Sequence, residues 1–134
     1  MDTYPRVHAV VASVTDGDTL RLVDGTRIRL VGINAPEYEP WKHRIDFYGP
    51  ESREFLRSLV DGRAVELEYD LERTDKYGRT LAYVYLEDGT FVNERLVADG
   101  YARSLYIRPN GRYYSRMKEL EKIAKARHQG LWSR

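Results

Sequence analysis

The sequence predicts a mostly β, α+β fold in which five short strands form a small barrel and three helices pack beside it. Several short runs place apolar residues at every second position, which is typical of strands with one buried face. Other segments space apolar residues three and four positions apart, as along one side of a helix. With 134 residues, 42% of them hydrophobic, the chain is long enough to bury one core.

The first three strands are predicted to form an antiparallel meander. Residues 6–14 are apolar and rich in β-branched side chains, which favours a strand. Residues 19–23 and 26–33 alternate apolar residues with arginine, and Asp24-Gly25 lies between them. Asp-Gly between two alternating runs is the strongest short signal for a β-hairpin.

The next segments are predicted to be a loop and the first helix. Residues 37–48 have no clean periodicity, which indicates a surface loop. Gly49-Pro50 favours a helix start, because proline is accepted in the first turn, and Asp61-Gly62 favours its end. The apolar residues between these signals fall on one helical face: Phe55, Leu56, Leu59 and Val60.

The fourth and fifth strands are predicted at residues 64–69 and 79–86, with a polar turn at residues 72–78 between them. Alternation in the fourth strand separates two sets of side chains: Val65, Leu67 and Tyr69 toward the core, Glu66 and Glu68 toward solvent.

Two further helices are predicted after the fifth strand. The first is centred on residues 92–97 and ends at Gly100, and the second covers residues 113–128. Residues 101–107 are expected to be extended. Five strands, with one helix after the third and two after the fifth, fit an OB-type barrel, a fold that often binds oligonucleotides.

Composition excludes several kinds of protein. The absence of cysteine excludes disulfides and thiolate metal sites. No signal peptide or membrane span is predicted, so we expect a cytoplasmic protein, or one secreted after removal of a leader, without a membrane partner. The three histidines are scattered, which disfavours a zinc site. Residues 1–5 are expected to be a flexible end and residues 6–134 one domain.

The net charge of +1 is unevenly distributed. Residues 1–99 contain 13 Lys+Arg and 19 Asp+Glu, whereas residues 100–134 contain 9 and 2. A basic segment attracts polyanions such as nucleic acids. A basic amphipathic helix is also compatible with simple solubility, so charge alone leaves both interpretations open.

Folding of the hairpin is expected to bring polar residues together at its open end. These residues come from the turn before the hairpin, from its second strand and from the segment after it: Asp16, Asp18, Arg29, Asn34, Ala35 and Glu37. Oxygen ligands of this kind suit a hard cation such as calcium. A cation beside a carboxylate and an arginine is suited to phosphodiester hydrolysis.

Six motifs follow one another along the chain: DGDT (16–19), RLVGINAPE (29–37), YGPE (48–51), RTDKYGRTLAYVY (73–85), VNERLVADGYA (92–102) and GLW (130–132). In this order and spacing they resemble the staphylococcal nuclease family, from about residue 6 to the end of the sequence. DGDT alone is a weak signal, whereas its combination with R-x₇-E and DKYGR is specific.

The resemblance implies an OB barrel with three helices and a calcium-dependent nuclease that cuts DNA and RNA, leaving 3′-phosphate ends. Single-stranded or locally melted nucleic acid is the expected partner, and a monomer is the expected state. The implied metal ligands are Asp18, Asn34 and the backbone carbonyl of Ala35, with Asp16 behind them. The implied catalytic residues are Arg29 and Arg79 on the phosphate and Glu37 as general base. The implied substrate contacts are Lys76, Tyr77 and Tyr106.

Two positions depart from the family pattern. The family has an aspartate where this chain has Asn34, so one negative charge is missing and weaker calcium binding is expected. A second substrate-contact tyrosine of the family corresponds to Arg108, which is expected to alter base or strand preference.

Each predicted site residue, taken alone, also has a purely structural explanation. Asp16 and Asp18 suit a turn, Arg29 suits an exposed strand position, and Tyr106 suits packing. The alternative function is a catalytically weak or inactive nucleic-acid-binding OB module, favoured only by Asn34. A structural interaction domain is a third class, and it would bind DNA no better at low salt.

Overall fold

The computed structural model describes residues 4–134, and a closed five-stranded barrel lies at its centre. Along the chain the strands are β1 (Arg6–Asp16), β2 (Thr19–Leu22), β3 (Arg27–Leu30), β4 (Ile33–Asn34), β5 (Tyr38–Glu39), β6 (Arg44–Ile45), β7 (Ala64–Glu68), β8 (Thr80–Leu86) and β9 (Arg103–Ser104). The helices are α1 (Gly49–Val60), α2 (Val92–Ala98) and α3 (Tyr114–Ala126), and short 3₁₀ turns cover Pro40–Lys42 and Gly130–Trp132.

The strand order around the barrel is β1-β2-β3-β8-β7. Four of its five pairings are antiparallel, and β3 with β8 is parallel. β1 is long enough to pair with β7 through its first half and with β2 through its second. The β1–β2 register shifts twice, between Val11 and Ser13 and between Val14 and Asp16. Such irregularities bend a strand, which helps a small sheet to close on itself.

The core fills the barrel and continues under the helices. Leu20, Ile28 and Leu30 are fully buried inside it. Each helix contributes buried apolar residues: Leu56 and Val60 from α1, Val92, Leu96 and Val97 from α2, Met117 and Ala124 from α3. The predicted fold class, a five-stranded OB-like barrel with three helices, is therefore confirmed. No helix in the described part of the chain is long and apolar enough to cross a membrane.

The predicted meander is also present. β2 and β3 pair antiparallel, with Thr19 opposite Arg29, and Gly25 in the turn has a φ of +91°, which glycine adopts without strain. The helix predicted from Gly49-Pro50 begins at Gly49 and ends at Val60. Of the predicted flexible end at residues 1–5, residues 1–3 lie outside the described residues.

The segment at residues 37–48 differs from the loop predicted for it. It contains a miniature hairpin in which Tyr38 lies opposite Ile45 and Glu39 opposite Arg44. Strands of two residues are too short to give a periodic sequence signal, so this hairpin could not be recognised from alternation. Similarly, only Arg103–Ser104 of the extended segment at residues 101–107 forms a strand, paired with β4.

Glu68 was predicted to face solvent, and this is wrong. The residue is 2% exposed. Arg112 Nη1 donates a hydrogen bond to Glu68 Oε1 at 3.0 Å, the Tyr113 hydroxyl donates to the same oxygen, and Arg6 Nε lies 3.6 Å from Oε2. The segment that leads into α3 therefore covers this part of the barrel wall, and its cationic and hydroxyl groups satisfy the carboxylate.

Candidate active site

Most of the polar residues predicted to form the site line one cleft at the open end of the β2–β3 hairpin. This polar cleft has a volume of about 510 Å³. Seven predicted site residues line it: Asp16, Asp18, Arg29, Asn34, Glu37, Tyr77 and Arg79. They come from the end of β1 and the turn after it, from β3, from β4 and the segment after it, and from the turn before β8. Barrel closure is what brings them together.

Asp18 is fixed by the turn between β1 and β2. Its Oδ2 accepts a hydrogen bond from the Ala35 backbone N–H at 2.8 Å, and its Oδ1 accepts one from the Thr19 hydroxyl at 3.1 Å. The turn requires Gly17, because a Cβ there would lie 2.6 Å from the Ala35 Cβ and 2.8 Å from the Ser52 Cβ. The turn before the hairpin, at Gly17, is therefore packed directly against the segment after it, at Ala35.

Arg29 reaches across the same region from β3. Its Nη1 donates to the Ile33 carbonyl at 3.0 Å and its Nη2 to Asn34 Oδ1 at 3.3 Å. Nη2 also lies 3.4 Å from Asp18 Oδ2. Asp18 and Asn34, two predicted metal ligands, are thus both in contact with Nη2 of one planar guanidinium.

Four carboxylates line the cleft, together with five Lys and Arg side chains. Burial, together with the neighbouring Asp18 carboxylate, raises the pKa of Asp16 to about 7. Burial also raises the pKa of Glu37, and Glu39 and Asp18 raise it further, while Arg44 opposes them. Negative charge is therefore costly here, which is the condition that a bound cation would relieve.

Arg79 is positioned by Asp75, a residue that the sequence analysis did not single out. Asp75 Oδ1 accepts hydrogen bonds from the backbone N–H groups of Tyr77 and Arg79, each at 2.9 Å. Its Oδ2 lies 2.8 Å from Arg79 Nε. Burial raises the pKa of Asp75, but these hydrogen bonds and the Arg79 charge outweigh it, so that the pKa is lowered overall. Aspartate at the start of a turn is a common signal for this geometry.

The three predicted substrate contacts differ in position. Tyr77 is 62% exposed and lines the cleft. Lys76 is on the same turn, with its Nζ 5.2 Å from the centre of the Tyr77 ring. Tyr106 is not brought together with them: its ring packs 5.4 Å from that of Tyr114, and it is absent from the lining of the cleft. Its role in substrate binding stays a prediction.

A smaller cavity of about 160 Å³ adjoins the polar cleft, and Arg29 and Arg79 line both. Its other walls are largely apolar, including Leu81, Leu105 and Ile107, and Arg108 also lines it. Leu105 and Ile107 were missed because they lie in an irregular segment without hydrophobic periodicity.

The predicted calcium ligands are not a cluster of acidic or histidine side chains. The described residues contain no group of three or more His, Asp or Glu side chains arranged to hold a metal ion. The predicted set instead combines one carboxylate, the Asn34 amide oxygen and the Ala35 carbonyl. All three donors are oxygen, beside carboxylates whose pKa values are raised, and this fits a hard cation that completes its shell with water or substrate.

Comparison with known proteins gives consistent similarities. The family described as Staphylococcal nuclease homologue matches residues 27–134. Thermonuclease of Staphylococcus hyicus is 37% identical over 126 residues, which is 92% of this chain and 74% of the relative. Thermonuclease of Staphylococcus intermedius is 38% identical over 128 residues, 93% of this chain and 76% of the relative. Endonuclease YncB of Bacillus subtilis (strain 168) is 33% identical over 133 residues, 96% of this chain and 63% of the relative.

Proposed function

The chain belongs to the staphylococcal nuclease family, and we therefore propose that its polar cleft hydrolyses the phosphodiester bonds of DNA and RNA with bound calcium. The enzyme is a nuclease and hence a hydrolase. The observation that carries the proposal is that Arg29, Arg79 and Glu37 line the same cleft as Asp18 and Asn34. The proposed substrates are single-stranded or locally melted nucleic acids, and the proposed products end in a 3′-phosphate. The enzyme is proposed to act as a monomer.

Asp18, Asn34 and the Ala35 carbonyl would hold the calcium ion. When bound, calcium would offset the negative charge that builds up on the phosphoryl oxygens in the transition state. The Arg29 guanidinium keeps Asp18 and Asn34 in place and adds a second positive charge beside the phosphate. Groups held in advance around the developing charge usually make the largest contribution to catalysis.

Arg79 is suited to bind the phosphate. Its Nε is occupied by Asp75 Oδ2, and within the described part of the chain its two Nη atoms have no hydrogen-bond acceptor. A guanidinium fixed at Nε presents both Nη atoms as a fork, which matches two phosphoryl oxygens. Tyr77 and Lys76, on the same turn, are proposed to contact the nucleotide beside it.

Glu37 is proposed to accept the proton of the attacking water. Its backbone is held by a hydrogen bond to Asp46 Oδ2 at 3.1 Å, while its carboxylate lines the cleft. Its raised pKa brings it closer to neutral pH, which improves a general base while leaving it ionised above that pKa.

Incubation of single-stranded DNA with calcium, and in parallel with a chelator, tests the proposal. We expect cleavage only with calcium, and 3′-phosphate ends in the mass spectrum of the products. DNA that is retarded in the gel but stays intact would instead support a binding module without catalysis. This second function is favoured by Asn34, which supplies an amide where a carboxylate would bind calcium more strongly.

Glu37→Gln is expected to lower kcat by about 10²–10⁴-fold, because the amide cannot take up the proton from water. The exposed fraction of Glu37 is intermediate, so the fold should be retained. Steady-state cleavage rates measure the effect, and an unchanged melting temperature confirms the fold. Glu87→Gln, at an exposed position, is the matched control. Wild-type kcat in Glu37→Gln would exclude Glu37 as the base.

Asn34→Asp is expected to tighten calcium binding by about tenfold, because the number of charged ligands sets the affinity of oxygen sites. Calorimetric titration with calcium chloride measures the change without any need for substrate. Asn34→Ala, which removes the oxygen, should weaken binding in the same assay. Equal calcium affinities for the wild type and both variants would remove Asn34 from the ligand set.

A further inference from the structure

We propose that another cavity, distinct from the small one lined by Leu105 and Ile107, binds the nucleic-acid strand that flanks the cleaved bond. This flanking groove has a volume of about 490 Å³ and is lined by Pro36, Asp46, Phe47, Arg103, Leu131 and Arg134. The volume is within the range of small-ligand sites. The inference rests on the proposed function, since it adds a strand-binding subsite to the same enzyme.

The flanking groove and the polar cleft share a wall. Asn34 and Glu37 line the cleft, and Pro36 between them lines the groove. Asp46, which accepts the hydrogen bond from the Glu37 backbone N–H, also lines the groove. A strand that leaves the cleft across residues 34–37 therefore enters the flanking groove.

The pairing of β4 with β9 places an arginine at this boundary. Asn34 and Arg103 are directly opposite in the antiparallel pair, so their side chains lie on the same face of it. Both residues are exposed, whereas Ile33 on the other face is fully buried. Opposed Cα atoms are about 4.5–5.5 Å apart in such strands. A nucleic-acid strand bound at Asn34 thus passes close to Arg103.

The charge of the flanking groove suits a polyanion. Arg103 and Arg134 contribute two positive charges, against one carboxylate from Asp46. Among residues 4–134, no Asp or Glu oxygen lies within 4.0 Å of either guanidinium. Asp46, in turn, is engaged by the Glu37 backbone. The two cations are therefore available to phosphates, whose neutralisation dominates nucleic-acid affinity.

Aromatic rings accompany both arginines. The Arg134 guanidinium carbon lies 4.7 Å from the centre of the Phe47 ring, and that of Arg103 lies 5.0 Å from the Trp132 ring. Phe47 is 43% exposed. Cationic side chains next to accessible aromatic rings are how many proteins hold single strands without reading their sequence. The occupant that fits the groove is therefore a single strand with its phosphates on the arginines and a base on Phe47.

The test compares two double variants that lose equal charge. R103A/R134A removes the groove arginines, and R21A/R63A removes two exposed arginines that line neither the groove nor the cleft. Binding of a fluorescein-labelled single-stranded DNA 12-mer is measured by anisotropy in EDTA, where no cleavage occurs. We expect about tenfold weaker binding for R103A/R134A. The slope of the logarithm of its association constant against the logarithm of salt concentration should be smaller in magnitude by about 1.4, since each phosphate contact to a single strand contributes about 0.7. R21A/R63A should stay within about twofold of the wild type.

Two further measurements make the outcome specific. Both double variants should stay folded at the assay temperature, which thermal melting checks, because all four side chains are at exposed positions. R103K/R134K keeps the charges but loses the planar guanidinium, so we expect it to keep the salt dependence and to bind less tightly than the wild type. If R103A/R134A binds the 12-mer as tightly as R21A/R63A, the proposal of a flanking groove is overturned.

Cleavage of a dinucleotide with calcium separates this proposal from the proposed function. A dinucleotide is too short to fill both the polar cleft and the flanking groove, so R103A/R134A should lose much less activity on the dinucleotide than on the 12-mer. A wild-type protein that cleaves neither the dinucleotide nor the 12-mer would contradict the proposed function, while the anisotropy result would still decide whether the groove binds a strand.

Discussion

Arg29→Lys is expected to lower kcat on DNA by about 10²–10³-fold, the loss typical of removing one preorganised donor from a developing charge. Arg29 contacts the Ile33 carbonyl, Asn34 and Asp18 with one planar group. A lysine ammonium is one compact charge and lacks the two planar Nη groups with which Arg29 reaches these acceptors. The substitution should therefore disturb both the phosphate contact and the arrangement of the proposed calcium ligands.

Steady-state cleavage of single-stranded DNA with saturating calcium measures this loss. Arg21→Lys on β2 is the matched control, since Arg21 is exposed and lines neither the polar cleft nor the flanking groove. A calcium titration of Arg29→Lys then separates the two causes, because disturbance of Asp18 and Asn34 should weaken calcium binding as well as catalysis. Near-normal kcat in Arg29→Lys would show that catalysis does not require the planar guanidinium of Arg29 to contact the phosphate.

Glu68→Ala is expected to lower the free energy of unfolding by about 3–5 kcal/mol, the usual cost of removing one partner from a buried ion pair. Glu68 is 2% exposed and accepts hydrogen bonds from Arg112 and Tyr113. Without the carboxylate, the Arg112 guanidinium, whose side chain is 15% exposed, keeps the more distant Asp70 at 4.0 Å and the Tyr69 carbonyl. It also keeps its contact with the Tyr4 ring, whose centre lies 3.5 Å from the guanidinium carbon.

Urea denaturation followed by circular dichroism gives the free energies for this comparison. Glu66→Ala on the same strand is the control, because the Glu66–Arg6 pair is partly exposed and such pairs contribute about 0–1 kcal/mol. Equal losses in the two variants would mean that Arg112 and Tyr113 find other partners once Glu68 is gone.

The local parts of the fold were predictable, because their signals lie in adjacent residues. Asp24-Gly25 between alternating runs was enough to identify the β2–β3 hairpin, and Gly49-Pro50 identified the start of α1. Glu68 was not predictable in this way. Its alternation pattern is that of a solvent-facing residue, and the partner that buries it, Arg112, is 44 residues further along the chain.

The same distinction applies to the candidate site. Motif resemblance predicts Asp18, Arg29 and Glu37 as site residues, and these three line one cleft in the structure. Asp75 was missed, although its position at the start of the turn carries a recognisable signal. The proximity of Arg103 to Asn34 depends on the register of β4 against β9, two strands of two residues each. Pairings this short and this distant in sequence leave no local pattern.

The parallel pairing of β3 with β8 has a consequence for biosynthesis. Arg29 pairs with Leu81 in that register, and Arg79 precedes β8 by one residue. Contacts between residues this far apart in sequence carry the loop-closure cost that makes them form late in folding. On the ribosome, a growing chain that has exposed only its first hairpin therefore lacks Arg79, one of the two arginines that line the polar cleft and are proposed to act on the phosphate. The proposed active site would therefore be complete only after the eighth strand has emerged and paired with the third.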